Sequence, residues 1–128
     1  KKEATLNDDY DEEIFEMHHR NKVDAPSGTA LSLGAAVAKG SGVDLRKAGN
    51  MSRAGANLKR EKGEIGFCAL RGGDVIGDHS VIFAAEGERV ELVHKASNRD
   101  IFAKGAIRAA IWGSAKKEGF YTMRDVLS

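Results

Sequence analysis

The chain has 128 residues and 41% hydrophobic content, one domain's length with enough apolar material for a core. Its 20 Lys and Arg almost balance its 19 Asp and Glu, so it carries no overall field that would select nucleic acid or an anionic membrane as partner. No apolar run approaches the roughly 20 residues that cross a bilayer, and Cys68, alone in the stretch IGFCALR, reads as a small buried residue suited to a reducing, cytoplasmic setting.

The opening KKEATLNDDYDEE lacks an initiator Met and reads as the tail of a helix that starts elsewhere. Residues 1–9 are therefore expected to be the remnant of an interdomain linker, and residues 10–128 a single domain. In EEIFEMHH, Ile14, Glu16 and His18 alternate with Phe15, Met17 and His19, the two-residue period of a first strand. Pro26 disfavours helix at Ala25, and Ser27 is a good N-cap for a helix carrying Ala30, Leu31, Leu33, Ala36 and Val37. That helix should end near Gly40 or Gly42. From there to Gly63 neither period appears, and glycines and basic residues predict a long mobile loop.

Three apolar runs follow, EIGFCALR, VIGDHSVIFAA and RVELVHKAS, separated by turn signals, and they predict an antiparallel meander. In the third run Val90, Leu92 and His94 alternate with Arg89, Glu91, Val93 and Lys95, so one face should be buried and the other wetter. A last helix over roughly 100–116 aligns Phe102, Ala106, Ala109 and Gly113, small residues that permit close approach to a sheet. The predicted class is α+β: a mixed, largely antiparallel sheet with helices packed on one face.

The chemistry concentrates in EMHHRNKVDAPSGTA. In a regular strand His18 and His19 point to opposite faces, so both can serve one site only if the chain turns there, and RNK supplies that turn. The N–H groups of Ser27, Gly28, Thr29 and Ala30 at the helix start can receive a carboxylate or phosphate, and Gly28 lets a ligand approach the backbone. With Lys22 and a histidine beside them, an anion anchor and proton donors would share one place. The plainer reading of Ser-Gly-Thr is capping alone. Zinc is not expected, since adjacent strand histidines diverge and no third ligand or HEXXH spacing accompanies them. His79 and His94 read as satisfied sheet residues, Asp24 as a neutraliser of Lys22, the run from Lys59 to Lys62 as a solvated face and Trp112 as packing.

That segment resembles the signature of the 4-hydroxy-tetrahydrodipicolinate (dihydrodipicolinate) reductase family. The likeness runs on through GEIGFCALRGGDVIGDHSVIFAAEGERVELVHKASNRDIFAKGAIRAAIW to YTMRDVL, covering nearly everything from Tyr10 onward. The resemblance implies a cytoplasmic enzyme of the diaminopimelate branch of lysine biosynthesis. Its first domain is a Rossmann unit binding NADH or NADPH, and its second holds a cyclic dicarboxylate substrate and builds a homotetramer through its sheet. Only the second domain is matched here. None of the fifteen glycines forms a GxGxxG turn after a strand, so cofactor binding and activity are not expected of this chain alone.

By position, His18 matches the family's proton donor or acceptor and Lys22 its proton-donating lysine; which of them delivers the proton stays open. His19 matches a substrate-binding histidine. Ser27, Gly28 and Thr29 match the segment that holds a substrate carboxylate, and Arg99 the arginine that reaches the dicarboxylate. The chemistry so implied is hydride transfer to an unsaturated ring, protonation of the neighbouring carbon and loss of water. The alternative is a noncatalytic anion-binding or oligomerisation module of the same fold.

Overall fold

The structure, a computed structural model, describes residues 9–128. The linker remnant expected at residues 1–9 thus lies, Asp9 apart, outside the described residues. The chain forms two compact units, one running to Lys95 and the other from Ala96 to Ser128.

The first unit is built on β1 (Asp11–His18), α1 (Gly28–Ser41), α2 (Leu45–Ala48), β2 (Gly49–Asn50), β3 (Ile65–Arg71), β4 (Gly77–Ala85) and β5 (Glu88–Ala96). The five strands make one sheet in the order β2-β3-β1-β4-β5. β1 pairs parallel with β3 and antiparallel with β4, and β2 pairs parallel with β3. The sheet is therefore mixed, as expected for an α+β fold. The three-run meander is not observed, because β1 inserts between β3 and β4. A two-residue link joins β4 to β5, the connection typical of an antiparallel hairpin.

Strand β1 is central because its alternation gives it two usable faces. Ile14 is buried against α1, and Phe15 and Met17 are half-buried on the opposite face. The core joins Ile14, Ile65 and Phe67 of the sheet to Ala30 and Ala38 of α1, with Leu33, Val37 and Leu45 packed at its margin. Helix and sheet approach so closely at Gly34 that a Cβ there would lie 2.4 Å from Phe67 Cζ. α1 starts where Ser27 Oγ accepts the Ala30 N–H at 3.1 Å. It stops at Gly42, whose φ of 71° is the left-handed conformation that glycine adopts without a Cβ penalty. Both ends agree with the sequence reading.

Four expectations are corrected. The segment beyond Gly42 is not one structureless loop. Asp44 accepts the Arg46 N–H (3.0 Å) and starts the short α2, and Gly49 and Asn50 take an edge position beside β3. Arg53 then ties the remainder to Glu13 (3.0 Å) and Glu64 (2.9 Å), while Arg60 pairs with Glu13 and donates to the Glu12 carbonyl (3.0 Å). Cys68 is exposed rather than buried, since in β3 the side covered by α1 belongs to Ile65 and Phe67. β5 is the edge of the sheet and shows no buried face before Ala96; Leu92 is 64% exposed.

The fourth correction concerns the second unit, which consists of α3 (Asp100–Ser114) and α4 (Met123–Leu127). The stripe of Phe102, Ala106, Ala109 and Gly113 lies on α3, but no residue of that helix is buried. Trp112 packs edge-on against Tyr121 at 5.1 Å, with the Lys116 ammonium 4.4 Å above its ring. α4 begins where the Asp125 carboxylate accepts the Thr122 N–H at 2.7 Å. No helix among the described residues is long and apolar enough to cross a membrane.

Candidate active site

Sheet register assembles the site. Glu16 and His18 are two residues apart on β1 and share its α1 side with Ile14. The partner of His18 on β3 is Arg71, and the partner of Glu16 on β4 is His79. Directly paired residues face the same way, so two histidines, a carboxylate and a guanidinium meet at one end of the sheet. The link from β3 to β4 passes over the end of β1, where Gly72 N–H donates to His18 O (3.0 Å) and Arg20 N–H to Gly73 O (3.1 Å).

Glu16 is the hub. It is 1% exposed, and an isolated carboxylate so buried would not remain charged. Arg71 answers it with a two-pronged ion pair, Nη1 to Oε2 and Nη2 to Oε1, both 2.8 Å. The Ser27 N–H donates to Oε1 at 3.0 Å, and His18 Nδ1 stands 2.5 Å from Oε2. Burial alone would raise the Glu16 pKa, but the bonds from Arg71, His18 and Ser27 outweigh it and hold the carboxyl below its ordinary value. The same pairing raises the already high pKa of Arg71. Arg71 also donates to the Asp24 carbonyl (2.8 Å), tying β3 to the turn that leads into α1.

The turn leaves β1 at His19, whose carbonyl accepts the Lys22 N–H at 3.2 Å. The opposite-face rule for adjacent strand residues therefore stops applying between His18 and His19. Lys22 Nζ lies 2.7 Å from Asp24 Oδ1, the neutralisation expected from sequence, and this bond to Lys22 lowers the Asp24 pKa. The peptide between Ala25 and Pro26 is cis. Ser27 then performs two tasks, capping α1 through Oγ and meeting His79 Nε2 at 3.2 Å. His79 is edge-on to His18 with ring centroids 5.0 Å apart. Desolvation, then the charge of His18, lowers its pKa, so its imidazole is neutral at pH 7.

The four amides predicted to receive an anion divide into two pairs. Those of Ser27 and Ala30 are consumed internally, by Glu16 and by the Ser27 hydroxyl. Those of Gly28 and Thr29 have no acceptor among the described residues, and both residues are exposed. A Cβ at Gly28 would meet nothing within 4 Å, so the approach to these amides is open. Two unpaired donors at the positive end of a 14-residue helix are suited to a carboxylate.

The structure thus gathers His18, His19, Lys22, Ser27, Gly28 and Thr29 along one strand, one turn and one helix start. Arg99 belongs to the second unit, where its carbonyl accepts the Phe102 N–H at 3.0 Å at the start of α3. Sequence reasoning missed Glu16, Arg71 and His79. Only Glu16 gave a signal, a carboxylate in register with a core isoleucine; the other two arrive through strand pairing. Among the described residues no group of three or more His, Cys, Asp or Glu side chains is placed to hold a metal ion.

Known proteins resemble the chain in sequence and in fold. The family model described as dihydrodipicolinate reductase, C-terminus, matches residues 1–127. A 4-hydroxy-tetrahydrodipicolinate reductase of Agrobacterium fabrum is 64% identical over 118 residues, covering 92% of this chain and 43% of the relative. One of Dinoroseobacter shibae is 56% identical over 124 residues, covering 97% and 46%. The chain therefore spans just under half the length of these relatives. A solved structure, the dipicolinate-bound dihydrodipicolinate reductase from Paenisporosarcina sp. TG-14, superposes with a TM-score of 0.63 at 27% identity, over 90% of this chain and 44% of that one. By sequence and by fold alike, the chain belongs to the C-terminal domain family of dihydrodipicolinate reductases.

Proposed function

We propose that residues 10–128 are the substrate-binding and catalytic part of a 4-hydroxy-tetrahydrodipicolinate reductase, an NAD(P)H-dependent cytoplasmic enzyme of lysine and diaminopimelate biosynthesis. The observation that carries this reading is the pair of unpaired amides at Gly28 and Thr29, set beside His18 and Lys22 in the family's signature segment. One carboxylate of a cyclic dicarboxylate accepts from these two amides, with the Ser27 hydroxyl and the His19 ring at its edge. The family resemblance alone matches Arg99, in the second unit, to a dicarboxylate-binding arginine. That anchoring fixes the ring, and the proton is handed to it by His18 or Lys22, a transfer that typically contributes about a hundred- to ten-thousand-fold in rate.

The nicotinamide nucleotide, which supplies the hydride, has no cradle among the described residues. The passage from β1 to α1 carries a proline and no glycine before Gly28, the first residue of α1, and the passage from β5 to α3 carries none, so neither offers the three-glycine turn that receives a pyrophosphate. The nucleotide belongs to the part of the reductase that this chain does not span, and the chain by itself is inactive. The dipicolinate named for the solved neighbour is a planar dicarboxylate of the kind this corner suits.

The same chain also builds a homotetramer through its sheet. Leu70 (43% exposed), Leu92 (64%) and Val93 (52%) leave apolar area on strands that a soluble subunit would cover. This observation also favours the second reading, a noncatalytic oligomerisation module, and one experiment separates the two. In the full-length reductase carrying this chain, Lys22→Ala should lower kcat at least about a hundredfold with an unchanged melting temperature. An unchanged kcat in that variant and in His18→Gln alike would leave only the noncatalytic reading.

A further inference from the structure

We propose that Glu16 is a positioning residue for His18: its buried carboxylate accepts the Nδ1–H of the imidazole, leaving Nε2, beside Gly77, as the ring nitrogen that exchanges protons. The inference rests on the reading above, in which His18 meets the substrate ring.

Each Glu16 oxygen already faces a donor that cannot become an acceptor: Arg71 Nη1 at Oε2, Arg71 Nη2 and the Ser27 N–H at Oε1. Those donors keep the carboxylate ionised and therefore acceptor-only. A histidine nitrogen 2.5 Å from such an oxygen must carry a hydrogen. The neutral ring is thus the Nδ1–H tautomer, as a carboxylate partner imposes on metal-bound and catalytic histidines generally.

Nε2 has no hydrogen-bond partner among the described residues. Gly77 is what keeps it clear, since a Cβ there would lie 3.1 Å from His18 Nε2 and 3.6 Å from His79 Cε1. The side of Nε2 is therefore kept free by a glycine while the side of Nδ1 is locked by a buried anion. His79, edge-on to His18, holds the Ser27 hydroxyl, so the proton-handling ring and the anion-binding helix start share one frame.

Of the charged and titratable groups, Glu16 on β1 touches His18 directly, Arg71 on β3 is its register partner and His79 on β4 stands edge-on to its ring, while Asp78 and His94 act on His79. Glu16 is the anion in direct contact.

Two-bond proton–nitrogen correlations on this chain labelled with 15N-histidine test the proposal. Neutral wild-type His18 is expected as the Nδ1–H tautomer alone, and Glu16→Met, which keeps the bulk and removes the acceptor, is expected to let the neutral ring populate the Nε2–H tautomer as well. A neutral wild-type His18 found as the Nε2–H tautomer overturns the proposal, and so does a folded Glu16→Met protein whose His18 keeps the Nδ1–H tautomer alone. Should that variant fail to fold, the wild-type tautomer alone decides. In the full-length reductase, kcat of Glu16→Met should fall by more than its KM changes. An unchanged kcat in a variant whose tautomer has changed would overturn the assignment of proton exchange to His18 Nε2.

Discussion

Replacing Arg71 by methionine, which keeps much of the side chain's bulk, isolates the ion pair at the centre of the site. Two 2.8 Å charge-assisted bonds to a carboxylate that is 1% exposed would be lost, leaving Glu16 with only the Ser27 N–H and His18. Removing one partner of a buried pair costs about 3–5 kcal/mol. The Arg71 side chain retains 20% exposure and two donors remain to Glu16, so about 3 kcal/mol at pH 7 is the reasoned figure. With a urea m-value of about 2 kcal/mol per molar, the unfolding midpoint should drop by about 1.5 M at matched protein concentration.

The pH dependence makes the test specific. In the wild-type protein Glu16 titrates below its ordinary value, so its stabilisation is complete above the unfolded-state pKa near about 4.3 and is lost as pH falls through the folded-state value. In Arg71→Met the buried carboxyl should titrate higher than in the wild type and escape its penalty by taking a proton. The gap between the two proteins should therefore narrow as pH is lowered from 7 towards 5. A loss under about 1 kcal/mol, or a gap constant with pH, would refute the claim that Glu16 is a buried anion held by Arg71.

Three further outcomes follow from the same geometry. Ser27→Ala removes both the α1 cap and the partner of His79, and should cost about 1–2 kcal/mol in chemical denaturation, more than a surface Ser→Ala change. Gly34→Val must displace Phe67, whose Cζ would stand 2.4 Å from the new Cβ, and overpacking of about 1–3 kcal/mol should appear as a lower melting temperature. The His79 pKa is depressed, so the unfolded chain takes up its proton first as pH falls below about 6.5; wild-type stability should already decline there, and His79→Gln should remove that part of the decline.

What the sequence could disclose was mostly local. The start of α1 was legible because Pro26 and Ser27 act on their immediate neighbours, and its end because Gly42 adopts a positive φ that few other residues tolerate. β1 was legible from its own alternation. Its neighbours were not, since a chain order of β3 then β4 suggests a hairpin and nothing in either run announces that β1 lies between them. Arg71 enters the site through that insertion alone. α2 and β2 have four and two residues, too few for any period to show. Cys68 and β5 were expected to be buried because apolar composition says a residue wants cover without saying which face receives it. The free amides of α1 were half legible: helix geometry exposes the first four, but only the side chains of Glu16 and Ser27 decide which two remain free.

The central claim is that a dicarboxylate is received by the free amides opening α1. Backbone amide shifts in the full-length reductase, titrated with pyridine-2,6-dicarboxylate in the presence of its nicotinamide nucleotide, test this most directly. The account predicts that the Gly28 and Thr29 amides move furthest, with Ser27 and Ala30 less affected because their N–H groups are already bonded. Saturable binding that leaves Gly28 and Thr29 unmoved would contradict it.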